Sequence, residues 1–131
     1  MVLYTDGASR GNPGPAGAGA IITDKEGATL AEKAVYLGET TNNQAEYRAL
    51  IVGLEEVVKL APVRLTIRMD SELIVKQLSG EYRVRNRDLL PLHNRARRLI
   101  EQLAAVEVKH VPREENTDAD RLANQAIDNR S

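Results

Sequence analysis

Apolar positions along this chain recur at two spacings, one of two residues and one of three to four, and the two alternate from end to end. Residues 63–70 show the shorter spacing. Leu65, Ile67 and Met69 fall on one face and Arg64, Thr66, Arg68 and Asp70 on the other, as in a strand with one buried side. Residues 1–6, 18–23 and 29–38 read as three further strands, the last two joined by a hairpin turn at Lys25-Glu26-Gly27, and Val106, Val108 and His110 mark a fifth. The stretch Gly11 to Gly19 is too rich in Gly and Pro for regular structure at its start, and with Gly7-Ala8-Ser9 it predicts a turn and a tight loop between two antiparallel strands.

The longer spacing begins at Thr41. That residue suits a helix N-cap, with Gln44 three positions on as the partner of a capping box, and Pro62 ends the segment. One stripe of this helix runs Glu46, Ala49, Leu50, Gly53, Leu54, Val57, Val58, while Arg48, Glu55, Glu56 and Lys59 form the solvated side. Glu46 is therefore a single carboxylate on the face that must pack. Three further helices are predicted: 71–78 with Ser71 as cap, 89–104 with Leu92, Leu99, Ile100 and Leu103 inward, and 117–129 with Leu122, Ala123, Ala126 and Ile127 inward. A strand joined to the preceding one through a helix is a crossover unit, which implies a parallel pairing inside a mixed sheet, so the order predicts an α/β fold: one mixed sheet flanked by helices, in a single domain over residues 1–131.

Composition narrows the function classes. A 131-residue chain that is 42% hydrophobic has a core to bury, and with four Tyr but neither Phe nor Trp that core is aliphatic. The absence of Cys excludes disulfides and thiolate zinc sites, and no apolar run approaches a membrane span, so a soluble cytoplasmic protein is expected, without membrane contact and as a monomer. A net charge of −1 gives no global sign of a nucleic-acid partner, and local clusters must carry any such role. The Gly-rich stretch lacks the Lys-Ser/Thr of a phosphate-binding loop.

Four acids then share a placement. Asp6 ends the first strand, Glu46 lies on the inward face of the first helix, Asp70 ends the strand that returns beside it, and Asp120 sits in the first turn of the last helix. Residues at the carboxyl ends of neighbouring strands point into one crevice, where like charges repel unless protons or cations intervene. Hard divalent cations such as Mg²⁺ suit all-carboxylate ligands, and two of them about 4 Å apart serve phosphodiester hydrolysis. Each acid also has a structural alternative: Asp6 as a turn acid, Glu46 as a helix-dipole partner, Asp70 as part of a cap, and Asp120 as the partner of Thr117 in a capping box.

Four segments in order resemble type 1 ribonuclease H: Thr5-Asp6-Gly7-Ala8 with Gly11-Asn12-Pro13-Gly14-Pro15, Thr41-Asn42-Asn43-Gln44-Ala45-Glu46, Met69-Asp70-Ser71, and Asn116-Thr117-Asp118-Ala119-Asp120-Arg121-Leu122-Ala123. The resemblance covers essentially the whole chain. It implies the ribonuclease H-like fold with a mixed five-stranded sheet, and endonucleolytic hydrolysis of the RNA strand of RNA–DNA hybrids with two Mg²⁺ or Mn²⁺ ions, leaving 5′-phosphate and 3′-hydroxyl ends. By motif, Asp6, Glu46, Asp70 and Asp120 would be catalytic and metal-binding, and Asn12, Asn42, Asn43, Gln44 and Ser71 would contact substrate. Amides of that kind suit the shallow minor groove and the 2′-OH that distinguishes RNA.

Two departures accompany the resemblance. Many family members place a His in a loop before the last acid; here that segment is short, His110 reads as strand, and Arg113 or Glu114 is left as a substitute. The aromatic, Lys-rich insertion that grips the hybrid in some members is also absent. In its place stand Arg83, Arg85, Arg87, Arg95, Arg97 and Arg98, which fit either phosphate contact or a solvated basic face.

Overall fold

The computed structural model describes residues 1–130. Five strands, β1 (Val2–Ser9), β2 (Gly14–Thr23), β3 (Thr29–Thr40), β4 (Leu65–Met69) and β5 (Val106–His110), form one sheet in the order β3-β2-β1-β4-β5. The hairpin-linked pairs β1–β2 and β2–β3 are antiparallel, whereas β1–β4 and β4–β5, reached through helices, are parallel. The helices are α1 (Asn42–Leu60), α2 (Glu72–Leu78), α3 (Leu90–Glu101) and α4 (Thr117–Asp128). The mixed sheet and its flanking helices follow the hydrophobic pattern.

Three boundaries differ most from expectation. β1 runs on through Gly7-Ala8-Ser9, and β2 begins at Gly14 inside the Gly- and Pro-rich stretch, because the two segments pair with each other from Asp6↔Gly19 to Ser9↔Ala16 and Gly14 and Pro15 pair with Thr40 and Glu39 of β3. Backbone pairing outweighs turn propensity here, and the small residues serve another purpose, which is thinness. A methyl on Gly7 would lie 2.2 Å from the Ala45 carbonyl carbon of α1, and one on Gly19 would lie 2.1 Å from the Ala119 oxygen of α4. Since strand residues alternate faces and registered partners share one, Gly7 places α1 on one side of the sheet and Gly19 places α4 on the other. The third difference is at α3, which stops at Glu101 and closes in a turn, Leu103 N–H to Ile100 O at 3.0 Å, before β5.

α1 is set as its sequence predicts. Gln44 N–H donates to Thr41 Oγ1, and Thr41 N–H donates to Gln44 Oε1 at 3.1 Å, completing the capping box. Its apolar stripe packs Leu50, Leu54 and Val57 against Leu3, Ile22, Ile67 and Met69, all essentially without solvent exposure. The core is aliphatic apart from Tyr47, whose hydroxyl donates to Gln77 Oε1 at 2.6 Å and lies 3.2 Å from His93 Nδ1, so its polar end is satisfied. Among the described residues, no helix is long and apolar enough to cross a membrane.

Gly19→Ala tests how closely α4 rests on the sheet. The added methyl meets backbone rather than a yielding side chain, so α4 has to shift, at a cost of about 1–3 kcal/mol. A urea titration reads the loss; an unchanged midpoint would show that the helix is not held at this distance.

Candidate active site

The pairing of β1 with β4 ends at Tyr4↔Arg68, while β1 continues to Ser9. Past that point a crevice opens between the two strands, and the acids gather there. Glu46, in the second turn of α1, reaches into it and accepts the Gly7 amide on Oε1 at 2.8 Å. Asp6 projects from β1, and Asp70 follows directly on β4. Ligand oxygens of Asp6, Glu46 and Asp70 all lie within 4.8 Å of one another. Asp120 comes from α4 on the far face, lies near enough to Asp6 to raise its proton affinity and lines the same open cleft of about 430 Å³.

The electrostatics of this group follow from burial. Asp6 is 5% exposed and Glu46 3%. Desolvation, followed by the Glu46 charge and by bonds to Glu46 and Asp120, holds the Asp6 carboxyl far above the ordinary carboxylate range. Glu46 is raised as well, again first by burial, but less, because Asp6 and the Gly7 amide stabilise its charged form. Without a cation the pair therefore keeps a proton at neutral pH.

One atom bears on what the pocket could hold. Glu46 Oε2 is wholly buried and has no hydrogen-bond partner. A buried carboxylate oxygen is costly unless a donor or a cation meets it, and three carboxylates around one point supply the hard oxygen ligands that Mg²⁺ and Mn²⁺ take. The residues present fit such ions.

Around the acids stand groups that sequence reasoning did not assign. Asn116, 1% exposed, donates its amide to Thr5 O at 2.9 Å and to Asp70 Oδ2 at 3.4 Å. It also serves as the N-cap residue of α4, without a side-chain cap bond, so the capping box between Thr117 and Asp120 is not formed and Asp120 is left to the cleft. Asn124 donates to Asp120 O and Oδ1 at 3.0 and 3.4 Å; its position four residues beyond Asp120 on one helix face was a usable signal. Arg113, in a 3-10 turn (Arg113–Glu115), lines the cleft, whereas His110 is the exposed last residue of β5 and does not.

A second recess, of about 310 Å³, holds Asn12, Asn42, Asn43 and Gln44 together with Asn86 from the polar link before α3. Asn42 lines both recesses. Asn12 Oδ1 accepts the Asn42 amide at 3.1 Å, and Gln44 Oε1 is taken by the capping box, so both side chains have their oxygens occupied and their NH₂ groups left as donors. Ser71 lines neither recess; its hydroxyl caps α2 by accepting from Ile74 N–H at 3.4 Å. Arg83, Arg85 and Arg87 are exposed, but Arg97 ties α3 to the end of α2 by donating to Leu78 O at 2.8 Å.

Known proteins share this architecture. Residues 4–126 match the family model described as reverse transcriptase-like. The crystal structure of RNase H1 from the halophilic archaeon Halobacterium salinarum superposes with a TM-score of 0.95 at 43% identity over 98% of both chains. That of LC11-RNase H1 in complex with an RNA/DNA hybrid gives 0.92 at 46% identity, covering 97% of this chain and 96% of that one. These similarities define the class, a ribonuclease H-like fold.

Curated relatives narrow it. A bifunctional protein of Mycobacterium tuberculosis is 48% identical over 129 residues, which is 98% of this chain and 35% of its own length. Ribonuclease HI of Halobacterium salinarum is 44% identical over 95% of this chain and 63% of its own length, so the chain spans about a third to two thirds of these relatives. A ribonuclease H of Pseudomonas savastanoi is 34% identical over 96% of this chain and 91% of its own length. The chain belongs to the ribonuclease H family.

The raised acids carry a pH signature for the metal-free protein. Unfolded, Asp6 and Glu46 lose their protons near their ordinary values; folded, they retain them, so the native state binds more protons and stability falls as pH rises above about 4. In EDTA, Asp6→Asn flattens that fall, and Asp70→Asn, which removes one of the crowded charges, raises the melting temperature by about 3–5 °C. Melts across pH in EDTA read both effects, and a clear destabilisation by Asp70→Asn would contradict the crowding.

Proposed function

We propose that this chain is an endonuclease that hydrolyses the RNA strand of RNA–DNA hybrids with two Mg²⁺ or Mn²⁺ ions, leaving 5′-phosphate and 3′-hydroxyl ends. The observation that supports it most is the convergence of Asp6, Glu46, Asp70 and Asp120 on one open cleft, with Glu46 Oε2 unpartnered among them. These four carboxylates would hold the ions, whose chemistry when bound is to activate a water for in-line attack and to stabilise the leaving oxygen.

The chain's own groups do the rest. The cleft is open, so a nucleic-acid backbone can lie across it, and the buried, amide-anchored Glu46 keeps its end rigid while Asp70 is steadied by Asn116. Beside it, the NH₂ groups of Asn12 and Gln44, whose oxygens are already engaged, and the flanking Asn42 and Asn43 offer donors. Donors suit the acceptors of the minor groove, the ribose 2′-oxygen and phosphate, and the 2′-OH is what sets RNA apart at a given position. Arg113 is the cation on the cleft wall, and its guanidinium fits the charged oxygens of a phosphate group. The similarity to LC11-RNase H1, whose structure holds an RNA/DNA hybrid, supports the choice of substrate.

A labelled hybrid incubated with Mg²⁺ or Mn²⁺ decides the matter. The wild type should cut the RNA strand of the hybrid in preference to a DNA duplex or an RNA duplex offered in competition, and Asp70→Asn should be slower by at least about 10²–10³-fold. Arg113→Ala should lose about 10–100-fold in kcat, partly recovered by Arg113→Lys. A wild type inert in both metals, or hybrid binding that neutralising Asp6 or Asp70 leaves unchanged and that never leads to cleavage, would mean a binding module instead.

A further inference from the structure

Asp120 differs from the other three acids in how it is held. Asp6, Glu46 and Asp70 form a compact group around the end of the β1–β4 pairing, whereas Asp120 comes from α4 on the opposite face and is half-buried. Its carboxylate is reached by the amide of Asn124, one turn further along. An amide side chain turned by 180° would present an oxygen to Asp120 instead, and like would face like. Arg10 prevents that turn: its guanidinium donates to Asn124 Oδ1 and to Asn124 O, each at 3.4 Å, so the amide oxygen faces Arg10 and the NH₂ faces Asp120. Arg10 is itself fixed at two points, by its pairing with Asp128 Oδ1 at 2.6 Å and by its backbone N–H to Pro15 O at 2.8 Å.

We propose that Arg10 and Asn124 are positioning residues that orient the Asp120 carboxylate and thereby set the affinity of the cation that depends on it, the second of the two. This rests on the nuclease function proposed for the cleft. A cation held by Asp6, Glu46 and Asp70 draws on ligands placed by the sheet and by α1, and it does not involve the relay. A cation that needs Asp120 does. Outer residues that orient metal ligands typically account for 10–100-fold in affinity. The bland alternative is a surface staple between the β1–β2 turn and α4. The Arg10–Asp128 pair is about half-exposed on each side, and exposed pairs contribute little to stability, so the two roles separate cleanly.

Calorimetric titration of Mn²⁺ into the whole, substrate-free chain tests this with wild type, Arg10→Ala, Asn124→Ala and the double variant. Wild type should show two binding steps. Each single variant should weaken the weaker step about 10-fold and leave the tighter one within about twofold, and the double variant should be no worse than Asn124→Ala, because Arg10 acts through Asn124. In hybrid cleavage the same variants should need more Mg²⁺ for half-maximal rate, with KM for the hybrid unchanged. Both steps unmoved, both weakened alike, additive effects, or a single binding step in wild type would each overturn the assignment. Shifted Mn²⁺ binding without any hybrid cleavage would leave it standing and overturn the nuclease function instead.

Discussion

Burying Glu46 is the constraint on which the rest of this structure depends. Its stripe on α1 is otherwise apolar and must pack on the sheet, so the carboxylate is carried inward with Ala49, Leu50 and Leu54. A charge in that position has few tolerable surroundings. Here it enters the gap where β1 and β4 stop pairing, takes the Gly7 amide on one oxygen, and leaves the other unmet. Asp6 and Asp70 flank that gap because both stand just past the point where the parallel pairing of β1 with β4 ends, close to where α/β sheets place their ligands. The topology and the chemistry of the cleft have one cause, the change from antiparallel to parallel pairing on the two sides of β1.

Much of this was legible in the residues. The 3.6-residue stripe and capping box located α1 and placed Glu46 inward, and the alternation of residues 63–70 located β4 and put Asp70 at its end. What periodicity could not show was the extent of β1 and β2. Gly7, Gly17 and Gly19 carry the same turn signal whether they bend the chain or thin it, and only the helices that press on them distinguish the two. The alternative role of Asp120 as a capping partner was equally consistent with its spacing, and Asn116, taking the cap position itself, removed it.

Side-chain amides account for most of what the sequence left out. An Asn among polar residues has no periodicity to betray it, so Asn86 in the link before α3 carried no signal of its own, and Asn116 before α4 stood inside a family motif with no role assigned to it. Their placement nevertheless gives the two recesses distinct characters, one rich in negative oxygen and one rich in N–H donors, with Asn42 on the wall between them. The clustered carboxylates and the run of side-chain amides thus lie side by side in a chain whose net charge is −1.

The glycines at the two helix contacts carry a consequence for how the fold tolerates change. At Gly7 and Gly19 main chain meets main chain, so the gauge between α1, the sheet and α4 is set by peptide atoms whose size is the same in every protein. Leucines and isoleucines elsewhere in the interior are free to exchange, provided volume is kept, while the span between opposing helices stays where the peptide groups put it. The geometry of the four acids is in this way insulated from drift in the core beneath them.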